Sequence, residues 1–119
     1  MSNFRDLLVW QKSMIFVTKI YNTTKKFPKE EQFGITSQIR RSAISIPSNI
    51  SEGLGRNSNK DYLRFLNIAI GSLFELQTQL EISKNIEYLT EEEFNTLYEN
   101  SREIERMLIS FVNKIKERN

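Results

Sequence analysis

The sequence contains no cysteine and no histidine. Without cysteine there is no disulfide, no thiolate nucleophile and no Cys-ligated zinc or iron–sulfur site. Without histidine, the commonest general base and the commonest transition-metal ligand are both missing. A Ser–His–Asp or Cys–His mechanism is excluded, which leaves carboxylates, Lys, Tyr or a bound metal to carry any chemistry. Glycine occurs only four times and proline twice, which describes neither a disordered tail nor a repeat array. No apolar run approaches the roughly 20 residues that cross a bilayer. The opening Met1-Ser2-Asn3-Phe4-Arg5-Asp6 lacks the apolar region of a signal peptide. No membrane association and a cytoplasmic location are expected.

What is present describes one soluble domain. Apolar residues make up 39% of 119 and charged residues 27%, and a chain of this length can bury its own core without staples. No linker, composition shift or internal repeat divides residues 1–119. The net charge of +2 is unevenly spread. Residues 1–64 hold 11 basic and 5 acidic groups, whereas 65–119 hold 6 and 10. Such asymmetry either creates a phosphate-attracting surface or reflects charged helices packed head to tail. The second is the simpler reading.

Apolar spacing predicts four helices. The first runs from about Asp6 to Thr24, with Leu7, Trp10, Met14, Val17 and Tyr21 as its packed seam. Val9, Phe16 and Ile20 form a second apolar face, and Leu8 and Ile15 a third. A surface helix of a monomer needs one stripe, so Val9, Phe16 and Ile20 are the expected oligomer interface. Phe27-Pro28 ends this helix. The second runs from about Gly34 to Glu52 and buries Ile35, Ile39, Ala43, Ile46 and Ile50, with a kink expected at Pro47. Gly53-Leu54-Gly55 breaks the chain, Gly53 being read as the left-handed residue that closes helix two. Ser58 and Asp61 cap a third helix from near Asn59 to about Ile86. Its centre is Leu63, Leu66, Ile70, Leu73, Phe74 and Leu80, a stripe wide enough to point to association. Thr90 with Glu93 forms a capping box, flanked by a Leu89–Phe94 staple, for a fourth helix that lines Phe94, Leu97, Tyr98, Ile104, Leu108, Phe111, Val112 and Ile115 on one face. Long helices with short connections predict an all-α, antiparallel up-down-up-down four-helix bundle.

Several features invite a functional reading. Arg40, Arg41, Arg56, Lys60 and Arg64 are candidate nucleic-acid contacts through phosphate. The competing reading pairs Arg41 with Glu75 across helices two and three, and the latter is favoured. Gly53-Leu54-Gly55 follows a helix rather than a strand and lacks a Gly-Lys-Ser/Thr ending, so it is not a phosphate loop. Gly71-Ser72, placed opposite Ser42 and Ala43, is read as a close helix–helix approach. Glu91-Glu92-Glu93 compensates a helix dipole. A di-iron bundle needs Glu-x-x-His pairs, which this chain lacks. No metal, cofactor or small-molecule substrate is expected, and no catalytic residue emerges. Trp10 is read as core.

Four stretches carry a family resemblance. They are Phe4-Arg5-Asp6-Leu7 through Val9-Trp10-Gln11-Lys12; Phe33-Gly34-Ile35-Thr36-Ser37-Gln38-Ile39-Arg40-Arg41; Ser45-Ile46-Pro47-Ser48-Asn49-Ile50-Ser51-Glu52-Gly53; and Gly71-Ser72-Leu73-Phe74-Glu75-Leu76-Gln77-Thr78-Gln79-Leu80. In this order they resemble the four-helix-bundle proteins of intervening sequences in 23S rRNA genes, a family often labelled ribosomal. Its relatives include the accessory variability determinant of diversity-generating retroelements. Gln77 and Ser51 depart from the pattern, where Glu and Ala are usual. The resemblance implies a ring-like homo-pentamer, and in the retroelement relatives a basic ring that binds a reverse transcriptase and nucleic acid. The expected function is a non-enzymatic homo-oligomeric scaffold that docks a protein partner, with nucleic acid involved or not. The alternative is a direct RNA- or DNA-binding protein.

Overall fold

The computed structural model describes residues 3–118, and its elements are helices α1 (Leu8–Thr24), α2 (Ile35–Leu54), α3 (Asn59–Asn85) and α4 (Glu91–Glu117). Short 3-10 turns, Phe4–Asp6 and Lys29–Glu31, precede α1 and α2, and no strand occurs among the described residues. The caps read from the sequence start two of the helices. Ser58 accepts from the Asp61 N–H at 3.2 Å. Thr90 and Glu93 exchange reciprocal bonds of 3.1 and 2.9 Å, so two otherwise orphaned donors of α4 are satisfied.

Each helix packs on its sequence neighbours, and α1 also closes on α4. Lys12 and Lys19 on α1, and Lys26 in the turn just after it, reach Glu103, Asn100 and Glu93 on α4. The numbering rises on one helix as it falls on the other, so these two run antiparallel. Ser45–Ser72 and Ser42–Glu75 give α2 and α3 the same relation. The result is an all-α four-helix bundle measuring 46 × 23 × 20 Å.

The core contains Ile39, Ala43, Ile46 and Ile50 of α2, all fully buried, as their spacing predicts. Leu66, Leu73 and Leu80 of α3 meet them, together with Ile104, Leu108 and Ile115 of α4. α2 runs unbroken through the buried Pro47. Asn49 Nδ2 donates to the Ser45 carbonyl at 2.8 Å, and Ser51 Oγ donates to that of Ser48 at 3.1 Å, so polar side chains serve the backbone on both sides of the proline.

α1 is rotated from its expected setting. Val9, Phe16 and Ile20 are buried inside the protomer, so they are not an exposed oligomer face. Met14 is exposed, and Leu7, Trp10, Val17 and Tyr21 are only half-buried. The inward row is Val9, Ser13, Phe16, Ile20 and Thr24. Apolar counting passes over this row because two of its members are hydroxyl residues. Ser13 Oγ donates to the Val9 carbonyl at 2.7 Å, and Thr24 Oγ1 to that of Ile20 at 2.8 Å. A hydroxyl satisfied within its own helix can be buried at little cost. Burying Phe16 alone then contributes about 2–3 kcal/mol.

Two glycines also differ from expectation. Gly53 lies inside α2 and no glycine has positive φ among the described residues. Gly71 is exposed, and a Cβ there would meet nothing within 4 Å, so it does not serve the α2–α3 contact. Among the described residues the left-handed one is Glu87, with φ 67°, in the turn where the Tyr88 N–H donates to the Ser83 carbonyl at 2.8 Å.

Candidate functional site

The five candidate phosphate contacts do not form one patch. Arg40 and Arg41 lie in the second turn of α2, whereas Arg56, Lys60 and Arg64 surround its C-terminal turn, about 20 Å away along the helix.

Arg40 has a structural task. Its Nε donates to Thr24 Oγ1 at 2.9 Å and its Nη2 to the Tyr21 carbonyl at 3.3 Å. The guanidinium also stands 4.5 Å from the Tyr21 ring centroid. A cation at the C-terminus of α1 satisfies carbonyls that the helix leaves open. Arg41, about 100° further round α2, is exposed and joins no ion pair among the described residues. The expected Arg41–Glu75 pair is therefore not formed. Ser42 faces α3 instead, and its hydroxyl contacts the Glu75 carboxylate.

The other group is built around one ring. The guanidinium groups of Arg56 and Arg64 each lie 4.7 Å from the Phe65 centroid. Arg56 also pairs with Glu52 at 2.9 Å, and Arg64 approaches Asp61 at 3.9 Å. Exposed pairs of this kind hold their arginines by about 0–1 kcal/mol each, so an anion can displace them. Lys60 is exposed and forms no ion pair among the described residues. Gly53 sets the geometry below, because its backbone lies against the ring of Tyr62 and the Cβ of Phe65.

The sequence reading missed the contribution of α4 to this end. Tyr62 packs edge-on to Phe111 with centroids 5.6 Å apart. Burial pushes the Tyr62 phenol up to about 12, with the charge of Arg118 acting in the opposite direction. The last turns of α4, carrying Lys114, Lys116 and Arg118, therefore lie at the same end as Arg56 and Lys60. Tyr62–Phe111 was the sequence signal for this, but only a known register brings the two rings together.

A polar cluster joins α3 to α4 at mid-height. Gln77 Nε2 donates to Ser101 Oγ at 3.2 Å and to Glu105 Oε1 at 3.0 Å, and Arg102 Nη1 reaches both Glu105 oxygens at 3.0 to 3.1 Å. The amide explains the departure at this position. A glutamate at 77 would set two carboxylates together where Gln77 supplies a donor. At the other end of the bundle, Tyr88 donates to Glu31 at 2.8 Å, and this bond to the carboxylate raises the pKa of the phenol. Among the described residues no group of His, Cys, Asp and Glu is placed to hold a metal ion, and no helix is long and apolar enough to cross a membrane.

Comparison with known proteins places this bundle in a family. No curated protein matches the chain. A crystal structure from Bacteroides thetaiotaomicron, described as a protein with unknown function from the S23 ribosomal protein family, is similar at 34% identity. The match covers 88% of this chain and 98% of that one, with a TM-score of 0.83. The model of the 23S rRNA-intervening sequence proteins matches residues 5–110. With nine-tenths of its length inside that match, the chain belongs to the 23S rRNA-intervening sequence protein family.

Proposed function

We propose that this chain is a non-enzymatic assembly protein, which forms a homo-oligomer and docks a protein partner. One observation carries the reading: the outer face of α3 exposes large apolar side chains among its polar ones and contains a glycine that the protomer does not use. Ile68, Phe74 and Ile82 are each more than two-fifths exposed on that face, and Gly71 lies among them with open space where a Cβ would be. A mid-helix glycine costs about 1 kcal/mol relative to alanine. A second helix packed closely against this face would recover that cost through contact. The assembly surface is thus assigned to α3, in place of the face first expected on α1. A pentamer is the state that the family resemblance implies.

Sedimentation tests this reading. The protein is expected to sediment as a multiple of 14.1 kDa at micromolar concentration, and Phe74→Asp is expected to return it to protomers with unchanged helix content. A wild-type mass of one protomer would overturn the reading.

A second reading is supported by the basic end of the bundle. Arg56, Lys60 and Arg64 stand there with the cations of the α4 C-terminus. Repeated by symmetry, this charge would attract RNA or DNA that one near-neutral protomer does not hold. Retention of structured RNA or duplex DNA that falls steeply with salt and with Arg56→Glu, in an intact oligomer, is the expected result of that reading. Absence of retention at low salt removes it.

A further inference from the structure

The seam between α1 and α4 carries a charge ladder that stops short of one end. Lys12 and Lys19 of α1 and Lys26 in the turn just after it stand seven residues apart and meet Glu103, Asn100 and Glu93 in turn. A seven-residue step keeps Lys12 and Lys19 on the same side of the helix, and Lys26 continues the row beyond its end. The next step towards the N-terminus is Arg5, in the 3-10 turn before α1, and its guanidinium sits 4.7 Å from the Phe4 ring centroid. On α4 the facing residues are no longer acidic but are Arg106, Ser110 and Lys114. Here the seam opens into a groove of about 450 Å³. Leu8, Met107 and Phe111 supply its apolar lining, and Leu8 is 58% exposed. Neither Arg106 nor Lys114 forms an ion pair among the described residues.

We propose that this groove docks an acidic amphipathic helix of a partner protein. The inference rests on the docking half of the function proposed above and is independent of the assembly half. Two features select this occupant together. Arg106 and Lys114 are eight residues apart on α4, about 12 Å, which spans two turns of a docked helix. A helix bearing apolar residues at i, i+3 or i+4, and i+7 fills an open groove of this kind. Carboxylates flanking that stripe would supply the counter-charges that α1 supplies nowhere along this part of the seam. A nucleic acid would use the two cations but leave the apolar lining exposed to water, and so fits less well. Charge complementarity at such a rim acts on partner choice and association rate more than on total affinity.

The test uses the full chain and two synthetic helix-forming peptides with the same leucine stripe, one flanked by glutamates and one by lysines. Calorimetric titration is expected to show the glutamate peptide binding at least about tenfold more tightly than the lysine peptide. Arg106→Glu combined with Lys114→Glu is expected to weaken the glutamate peptide about tenfold, and Leu8→Asp to abolish its binding. All three residues are exposed, and circular dichroism checks that each variant keeps its helix content. Equal binding of the two peptides, no binding of either, or binding indifferent to the variants overturns the proposal. Dissociation of the oligomer by Leu8→Asp would show that a second copy occupies the groove, and also overturns it. A monomeric wild type that still binds the glutamate peptide would sink the assembly reading while leaving this one standing.

Discussion

The backbone of Gly53 lies so close to Tyr62 that a Cβ on the glycine would stand 2.8 Å from Cδ1 of the ring, and 2.9 Å from the Cβ of Phe65. This contact lets α2 meet α3 at the turn that carries Arg56 and Lys60. Gly53→Ala is therefore expected to destabilise the protomer by about 1–3 kcal/mol through overpacking. Urea denaturation measures it, and a variant as stable as the wild type would show that Tyr62 and Phe65 yield freely.

Gly71 gives the opposite expectation, because nothing stands within 4 Å of its missing Cβ. Gly71→Ala should stabilise the isolated protomer by about 1 kcal/mol through helix propensity. In the oligomer the same methyl group would separate two helices, so association should weaken. Thermal melting of a dilute sample and sedimentation of a concentrated one give the two readings separately. Tighter association of the alanine variant would remove α3 from the interface.

Tyr62 keeps its hydroxyl buried without a hydrogen-bond partner. An unpartnered buried hydroxyl opposes folding, so Tyr62→Phe is expected to leave stability unchanged or raise it by up to about 1 kcal/mol. The packing on Phe111 survives the change. A clear loss in a urea titration would mean that the hydroxyl has a partner in solution.

Gln77 donates to the buried Glu105, and Gln77→Glu replaces that donor with a second carboxylate. The expected cost at neutral pH is about 1–2 kcal/mol. The deficit should narrow as acid protonates one member of the pair. Chemical denaturation at neutral and acidic pH checks the sign, and a deficit that widens in acid would contradict the placement of these two groups.

Glu93 supplies a pH dependence with a definite direction. The hydrogen bond from Lys26, and after it the Thr90 N–H, hold its carboxyl below the usual glutamate range. A depressed folded pKa means stability that is present above the unfolded value, near 4.3, and is lost as pH falls through the folded one. Glu93→Gln keeps an oxygen for the cap but removes the charge. Its stability should therefore fall less than that of the wild type between about pH 5 and pH 3. Parallel stability curves for the two proteins would refute this.

Much of the architecture was legible along the chain. The Ser58 and Thr90 caps, the inward rows of α2 and α4 and the break after Leu54 depend on residues within one or two turns of each other. Local hydrogen bonding and 3.6-residue periodicity decide such features before any tertiary contact forms. The family resemblance rests on stretches of the same local kind. What the chain alone left undecided was the rotation of a helix with apolar residues on several sides. On α1, hydrophobicity by itself favoured Leu7, Trp10 and Met14. Packing instead turned Val9, Phe16 and Ile20 inward, because Ser13 and Thr24 are small enough to sit at the contact and satisfy their own hydroxyls. The candidate surfaces were likewise decided by how the helices pack. Arg40 became a clamp on α1, the Arg41–Glu75 pair did not form, and the groove beside Leu8 opened next to Arg106 and Lys114. Each of these depends on which residues of distant segments share a seam, and that is settled by filling the bundle interior rather than by any short stretch of sequence.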